Sequence, residues 1–382
     1  MDNRAEQLAD LVLDYSIKIA ERDRLIVQFD PKYGHYAGLL GRKAREKGAE
    51  VRYDSMTFDP VTLRGLVERS DPKELGEELE RRKDLASWCN TRIYIRCVSN
   101  PDYAAGIEDA EAKVANFDKA VIAPYKKVLY RPGPHSSYEV RWNIVGFPCE
   151  EDAETAGMSP EDYTDFVYSA TIGNDWTNVG ESMKRLKNIF DGAKDVRLLV
   201  PGLTDLRLSL EGRGGEICDG KHNMPDGEFF YGPVEDSVNG HVYFQIPSKR
   251  EGFGVLEGIR LEFRNGAVSG FSARKNQRGL QETLMLRGAR RLGEFGIGCN
   301  YGIKRAILET LFDEKIGGTI HLALGQSFDT HPLSSGGGFN KSDIHWDLVC
   351  DLRKDEKNLS EFPGGEIYVD GKLVQRNGIW LI

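Results

Sequence analysis

The chain has 382 residues, 40% of them hydrophobic and 29% charged, with a net charge of -9. That length exceeds one ordinary domain and suits two, each with its own core. The acidic balance repels phosphate backbones and excludes nucleic acid as an expected partner, and no apolar run approaches the roughly 18 residues of a membrane span.

The opening residues MDNRAEQLADLVLDYS set Leu8, Leu11, Val12 and Tyr15 at helical spacing. They carry no apolar signal region or cleavage site, so a cytoplasmic location is expected. RLIVQFD (24–30) reads as a buried strand, HYAGLLGRKAREKG as a helix stopped by Gly48, and AEVRYDSM as a second strand. Two charged amphipathic helices follow over about 60–87, then the strands TRIYIRCV and EVRWNIVGF (139–147). Strands alternating with helices predict an α/β domain with a mostly parallel sheet.

The helix-like WTNVGESMKRLKNIFDGAK separates this region from a different texture. DVRLLVPG, DLRLSLEG, GHVYFQIP, GIRLEFRNGAV, GTIHLALG, HWDLVCDL, GEIYVDGKLV and NGIWLI are short alternating strands, several joined by Asn-Gly or Asp-Gly hairpin signals. One helix, around RGLQETLMLRGARRL, interrupts them. The expectation is an N-terminal α/β domain over 1–185 and a C-terminal β-rich α+β domain over 186–382. Six cysteines without a C-x-x-C pair read as reduced, buried thiols.

Four C-terminal segments hold polar residues in apolar or turn-rich surroundings. Glu228 precedes Phe229, Phe230 and Tyr231, where an unpaired carboxylate is costly to bury, unless it is an exposed turn residue. Glu294 follows Gly293 at the start of an apolar strand, as a ligand or as an edge glutamate facing water. His321 alternates against Ile320, Leu322 and Leu324, as a ligand or as a satisfied structural histidine. His345 and Asp347, two apart on one strand, leave the same face, as a metal clamp or as a metal-free pair. Together, three carboxylates and two imidazoles are about what a close pair of divalent cations needs. These five residues, Glu228, Glu294, His321, His345 and Asp347, are the candidate metal ligands. His35, His135, His222, His241 and His331 lack partners at ligand spacing, although His222 lies close to Glu228 in the chain. LSSGGGFN (333–340) reads as a mobile loop just ahead of His345.

The strings NMPDGEFF, RLGEFGIG, LFDEKIGGTIHLALGQSF and NKSDIHWDL resemble, in the same order, the M29 family of metallo-aminopeptidases, the aminopeptidase T and aminopeptidase S group. LVLDYS followed by RLIVQFD is similar to the family's opening helix and strand. The resemblance implies two divalent ions per chain (zinc, cobalt or manganese), held by the five residues above and a tyrosine. It further implies a homodimer that releases N-terminal residues from short peptides; on that reading Glu294, or else Glu228, is the carboxylate expected to handle the proton. Two departures stand out. The family tyrosine lies seven positions after the first histidine, where this chain has Phe328, leaving a water, Tyr301 or Ser327 to take its place. Gly227 also precedes a single Glu228 where the family often has two acidic residues. The other readings are a mononuclear Fe(II) ring-opening dioxygenase using His321, His345 and Asp347, and a catalytically silent peptide-binding homologue, suggested by Phe328.

Overall fold

The computed structural model describes residues 3–97, 103, 104, 106–131, 139–250, 253–328 and 337–382. The chain divides into two compact units, residues 1–172 with 220–225, and residues 173–219 with 226–382.

In the first unit the four predicted strands and a fifth, Asn223–Met224, form one wholly parallel sheet, ordered Glu50–Asp54, Arg24–Gln28, Thr91–Arg96, Arg141–Gly146 and Asn223–Met224. Parallel neighbours need crossovers. Gly34–Glu46 supplies the first, and Pro60–Arg69 and Pro72–Trp88 lead to the next. The latter two helices start where an aspartate cap meets a proline: Asp59 accepts the N–H of Thr62, and Asp71 those of Lys73 and Glu74. Their apolar stripes bury Leu63, Leu66, Val67 and Leu75.

The second unit holds two large antiparallel sheets and, among its described residues, a two-stranded one of Ser248–Arg250 and Gly254–Leu256. The larger runs Ala267–Ser272, Ile259–Arg264, Asn239–Phe244, Thr204–Leu208, Val196–Val200, Glu366–Val369, Lys372–Arg376 and Ile379–Trp380. The turn pairs Asn265-Gly266 (φ +50° and +75°) and Asp370-Gly371 (+46° and +81°) are left-handed at both positions, the backbone that closes a tight hairpin. The smaller sheet runs His345–Asp351, Thr319–Gly325, Leu292–Gly298, Glu228–Tyr231 and Glu216–Cys218. Leu198, Leu206, Val242 and Leu261 of the larger sheet and Phe295, Ile320, Leu322 and Leu348 of the smaller share one core. That core fixes which face of the smaller sheet is apolar, because a one-residue slip would expose the whole set.

The compact units divide at 172/173, and 220–225 returns to the first unit. The helix Trp176–Phe190 buries its Met183 and Phe190 in the C-terminal core. The helix expected over 278–292 spans only Gln277–Thr283. Gly288 has φ +74°, and a Cβ there would strike the carbonyl of Lys341, so the chain turns instead of continuing.

None of the six cysteines is in a disulfide; Cys89, Cys97, Cys299 and Cys350 are buried, and Cys149 and Cys218 are half-buried. Among the described residues no helix is long and apolar enough to cross a membrane.

Candidate metal centre

The face of the smaller sheet opposite the core carries all five candidate ligands. Register explains why. Glu228 stands opposite Gly298, Gly296 opposite His321, and Glu294 and Asp347 both opposite Ala323, while His345 pairs with Gly325. Residues paired across antiparallel strands share a face. Glu294 reaches it because the register shifts between Leu292 and Glu294, so Gly293 is an extra residue there. The remaining positions on this face include Gly296, Gly298, Ala323 and Gly325, whose small size leaves the space that the polar side chains fill.

The polar groups converge. Glu294 Oε1 lies 2.9 Å from His321 Nε2, and its Oε2 lies 3.4 Å from His345 Nε2. Glu228 Oε2 lies 3.4 Å from His321 Nε2 and has no hydrogen-bond partner among the described residues. Asp347 Oδ1 lies 3.4 Å from His345 Nε2. Two groups of possible ligand atoms result, Glu228–Glu294–His321 and Glu294–His345–Asp347, each with its atoms within 4.8 Å of one another. Glu294 belongs to both. Burial is deep: His321 is 0% exposed, Glu294 4% and Glu228 6%, while 30% of the His345 side chain remains open. Glu294 is therefore not an edge residue facing water, and Glu228 is not an exposed turn residue.

Both imidazoles are oriented from behind. His321 Nδ1 is 3.0 Å from the carbonyl of Glu314, and His345 Nδ1 is 2.8 Å from that of Gln326. A carbonyl only accepts, so each Nδ1 carries the proton and donates, and each Nε2 is turned toward the carboxylates. The site is short of positive charge. Burial opposes a charge on His321, but the hydrogen bond with Glu294 and the charges of Glu228 and Glu294 outweigh it and raise its pKa to about 10. His345 is raised well above its usual value in the same way, against burial, by Asp347 and Glu294. Burial pushes Asp347 up, but His345 and His321 draw it down to about 2. These imidazoles hold protons where a cation would otherwise sit, and metal binding would displace them.

The sign of the histidine shift gives a pH test. A folded pKa raised above the unfolded value stabilises the fold at low pH, and that contribution is lost as pH rises through the folded pKa. Chelator-treated protein is thus expected to lose several degrees of melting temperature between about pH 6.5 and 10. Metal-loaded protein should have a flatter profile. A chelated protein that melts at one temperature across that range would remove the protonated His321.

Three residues of the site are not apparent from sequence patterning. Lys315 is 0% exposed; its Nζ lies 3.0 Å from Glu228 Oε1 and 3.9 Å from Asp226 Oδ1, and it donates to Glu314 Oε1. Burial works against that ammonium, yet Glu228, Glu314 and Asp226 hold its pKa well above normal. Burial pushes Glu314 up to about 8 against the pull of Lys315. The sequence signal is the run Asp313-Glu314-Lys315, charged immediately before Gly317-Gly318 and a buried strand; such runs are ordinarily solvated.

Phe328 stacks no oxygen against the site: its ring is 4.8 Å from Phe230 and 5.2 Å, edge-on, from His345. Tyr301 donates its hydroxyl to the carbonyl of Gly378, whereas the buried Ser327 hydroxyl has no hydrogen-bond partner among the described residues. His222 lies in the first unit, its ring 4.6 Å from that of Trp142. His135, His331 and residues 333–336 of the expected loop lie outside the described residues.

The donor set, imidazole nitrogens and carboxylate oxygens without thiolate, fits zinc, cobalt or manganese. Among the described residues no ligand group joins His321 to both His345 and Asp347, and Glu294 lies within reach of both histidines.

A family model described as Peptidase_M29, thermophilic metalloprotease (M29), matches residues 1–380. Wild-type AmpT from Thermus thermophilus has a similar structure, with a TM-score of 0.78 and 22% identity, covering 100% of this chain and 99% of that one. A 2,5-dihydroxypyridine dioxygenase from Pseudomonas putida KT2440 is more distant, with a TM-score of 0.59 and 12% identity, covering 100% and 98%. At these identities the two structures share the fold. No curated protein matches the chain.

Proposed function

This chain belongs to the M29 family and is a metallo-aminopeptidase, a hydrolase of peptide bonds; from that premise we propose that it releases N-terminal residues from short peptides with two divalent ions, held by Glu228, Glu294, His321, His345 and Asp347. The observation that carries this reading is the position of Glu294, one oxygen toward each histidine and common to both ligand groups. A carboxylate so placed is suited to two neighbouring cations and superfluous for one. Zinc, cobalt and manganese all suit the donors.

When bound, such ions acidify a water molecule and polarise a peptide carbonyl. The chain's own residues do the rest. The Nδ1 contacts fix both imidazoles, so that Nε2 of each is available. Glu294, central to both groups, is the carboxylate assigned to take the proton of the attacking water and return it to the departing amine. His345, the most open of the five, marks the side from which a peptide enters, and Phe328 and Phe230 line that side with apolar surface. We assign the enzyme to the cytoplasm as a homodimer, which sedimentation of the purified protein would test.

Removal of metal is the direct check. Dialysis against a strong chelator is expected to lower hydrolysis of an aminoacyl p-nitroanilide by about a hundredfold or more. Zinc, cobalt or manganese should restore it, with two ions per chain by elemental analysis. Metal-free protein that cleaves as fast as the loaded form would sink the proposal, and one iron per chain would favour the oxygenase chemistry instead.

A further inference from the structure

The second unit contains a third group of possible ligand atoms besides the two already described: Cys218, Asp226 and Glu228, again within 4.8 Å of one another. It shares Glu228 with the Glu228–Glu294–His321 group, just as that group shares Glu294 with Glu294–His345–Asp347. The three groups therefore form a chain linked by two carboxylates. The Lys315 ammonium lies beside the third, 3.0 Å from Glu228 Oε1 and 3.9 Å from Asp226 Oδ1.

The surroundings hold Lys315 there. Its carbonyl accepts the N–H of Asn300 (2.9 Å), and the Asn300 side-chain amide donates to the carbonyl of Asp226 (2.8 Å). One residue thus fixes the backbones of both the lysine and the aspartate it faces. Full burial of an ammonium is costly unless it is paired, and here three carboxylates surround it.

We propose that the Lys315 ammonium is a permanent third cation of this site, which closes the Cys218–Asp226–Glu228 group to metal and holds Glu228 by Oε1 so that Oε2 faces the other two groups. Lys315 is then a positioning residue. The inference rests on the two-ion reading above.

Anomalous scattering from crystals of the zinc-loaded wild-type protein tests both and separates them. Two ions are expected, with Lys315 Nζ still hydrogen-bonded to Glu228. Two ions with Lys315 turned away, or an ion among Cys218, Asp226 and Glu228, overturns the inference and leaves the two-ion reading standing. Crystals without ions remove both. Lys315→Ala provides a second arm, because it opens the third group. Grown with cobalt, it is expected to hold three ions per chain and to show a near-ultraviolet thiolate-to-cobalt band, the Cys218 thiol releasing its proton to solvent. The band should vanish on adding Cys218→Ser, and Lys315→Arg should hold two ions without it. A folded Lys315→Ala protein with two ions and no band overturns the inference.

Discussion

Glu294→Gln is expected to yield a folded protein whose kcat/KM is lower by on the order of a thousandfold. The amide keeps the shape of the side chain, so the strand Leu292–Gly298 and its pairing with Thr319–Gly325 should persist. It cannot keep the charge. The carboxylate oxygens now lie 2.9 Å from His321 Nε2 and 3.4 Å from His345 Nε2, and a neutral amide offers one acceptor and one donor in their place. Both ligand groups lose the member they share, and the proton acceptor assigned to the reaction goes with it. Metal content should drop in parallel. Circular dichroism establishes the fold, and elemental analysis and p-nitroanilide kinetics establish the loss. A folded variant with full metal content and more than about a tenth of the wild-type rate would take Glu294 out of the site.

Gly296→Ala should be nearly as damaging, without replacing a single proposed ligand. A Cβ at Gly296 would fall 1.9 Å from His321 Nε2 and 2.1 Å from its Cε1, inside the imidazole. The two residues are paired across the strands, so their side-chain positions coincide on one face. Neither can yield easily. The imidazole is anchored by the Glu314 carbonyl at 3.0 Å, and the strand is hydrogen-bonded on both sides. Overpacking alone costs about 1–3 kcal/mol. The functional cost is larger, because relief comes most readily from swinging His321 out of the site. Loss of metal and of activity, with a modest drop in melting temperature of the chelated protein, is the expected pattern. Retention of the full metal complement would show that the strand shifts instead and that His321 keeps its place.

The contrast between these two residues shows what a sequence reveals. Glu294, His321, His345 and Asp347 could be placed on strands because alternation with Ile320, Leu322, Trp346 and Leu348 assigns faces, and the hairpin dipeptides Asn265-Gly266 and Asp370-Gly371 announce the turns. Convergence of the five could not be read, because it depends on register between strands far apart in the chain, including an extra residue at Gly293. Gly296 looks like any strand glycine until His321 is found opposite it. Lys315 is hidden for another reason. Buried lysines are rare, so a charged run such as Asp313-Glu314-Lys315 is naturally assigned to solvent, and only the surrounding carboxylates make its burial tolerable. The sequence predicts a longer helix after Gln277 because its leucines and arginines favour helix, while the positive φ at Gly288 reflects a contact with Lys341 that no local pattern carries.

Glu228 lies three residues beyond Pro225, the end of the short stretch 220–225 that returns to the first unit and whose Asn223–Met224 extends the parallel sheet beside Arg141–Gly146. No one cut, therefore, frees an independent catalytic fragment. A truncation beginning at 173 would keep all five proposed metal ligands and still strand the edge residues immediately upstream of Glu228 without their hydrogen-bonding neighbour.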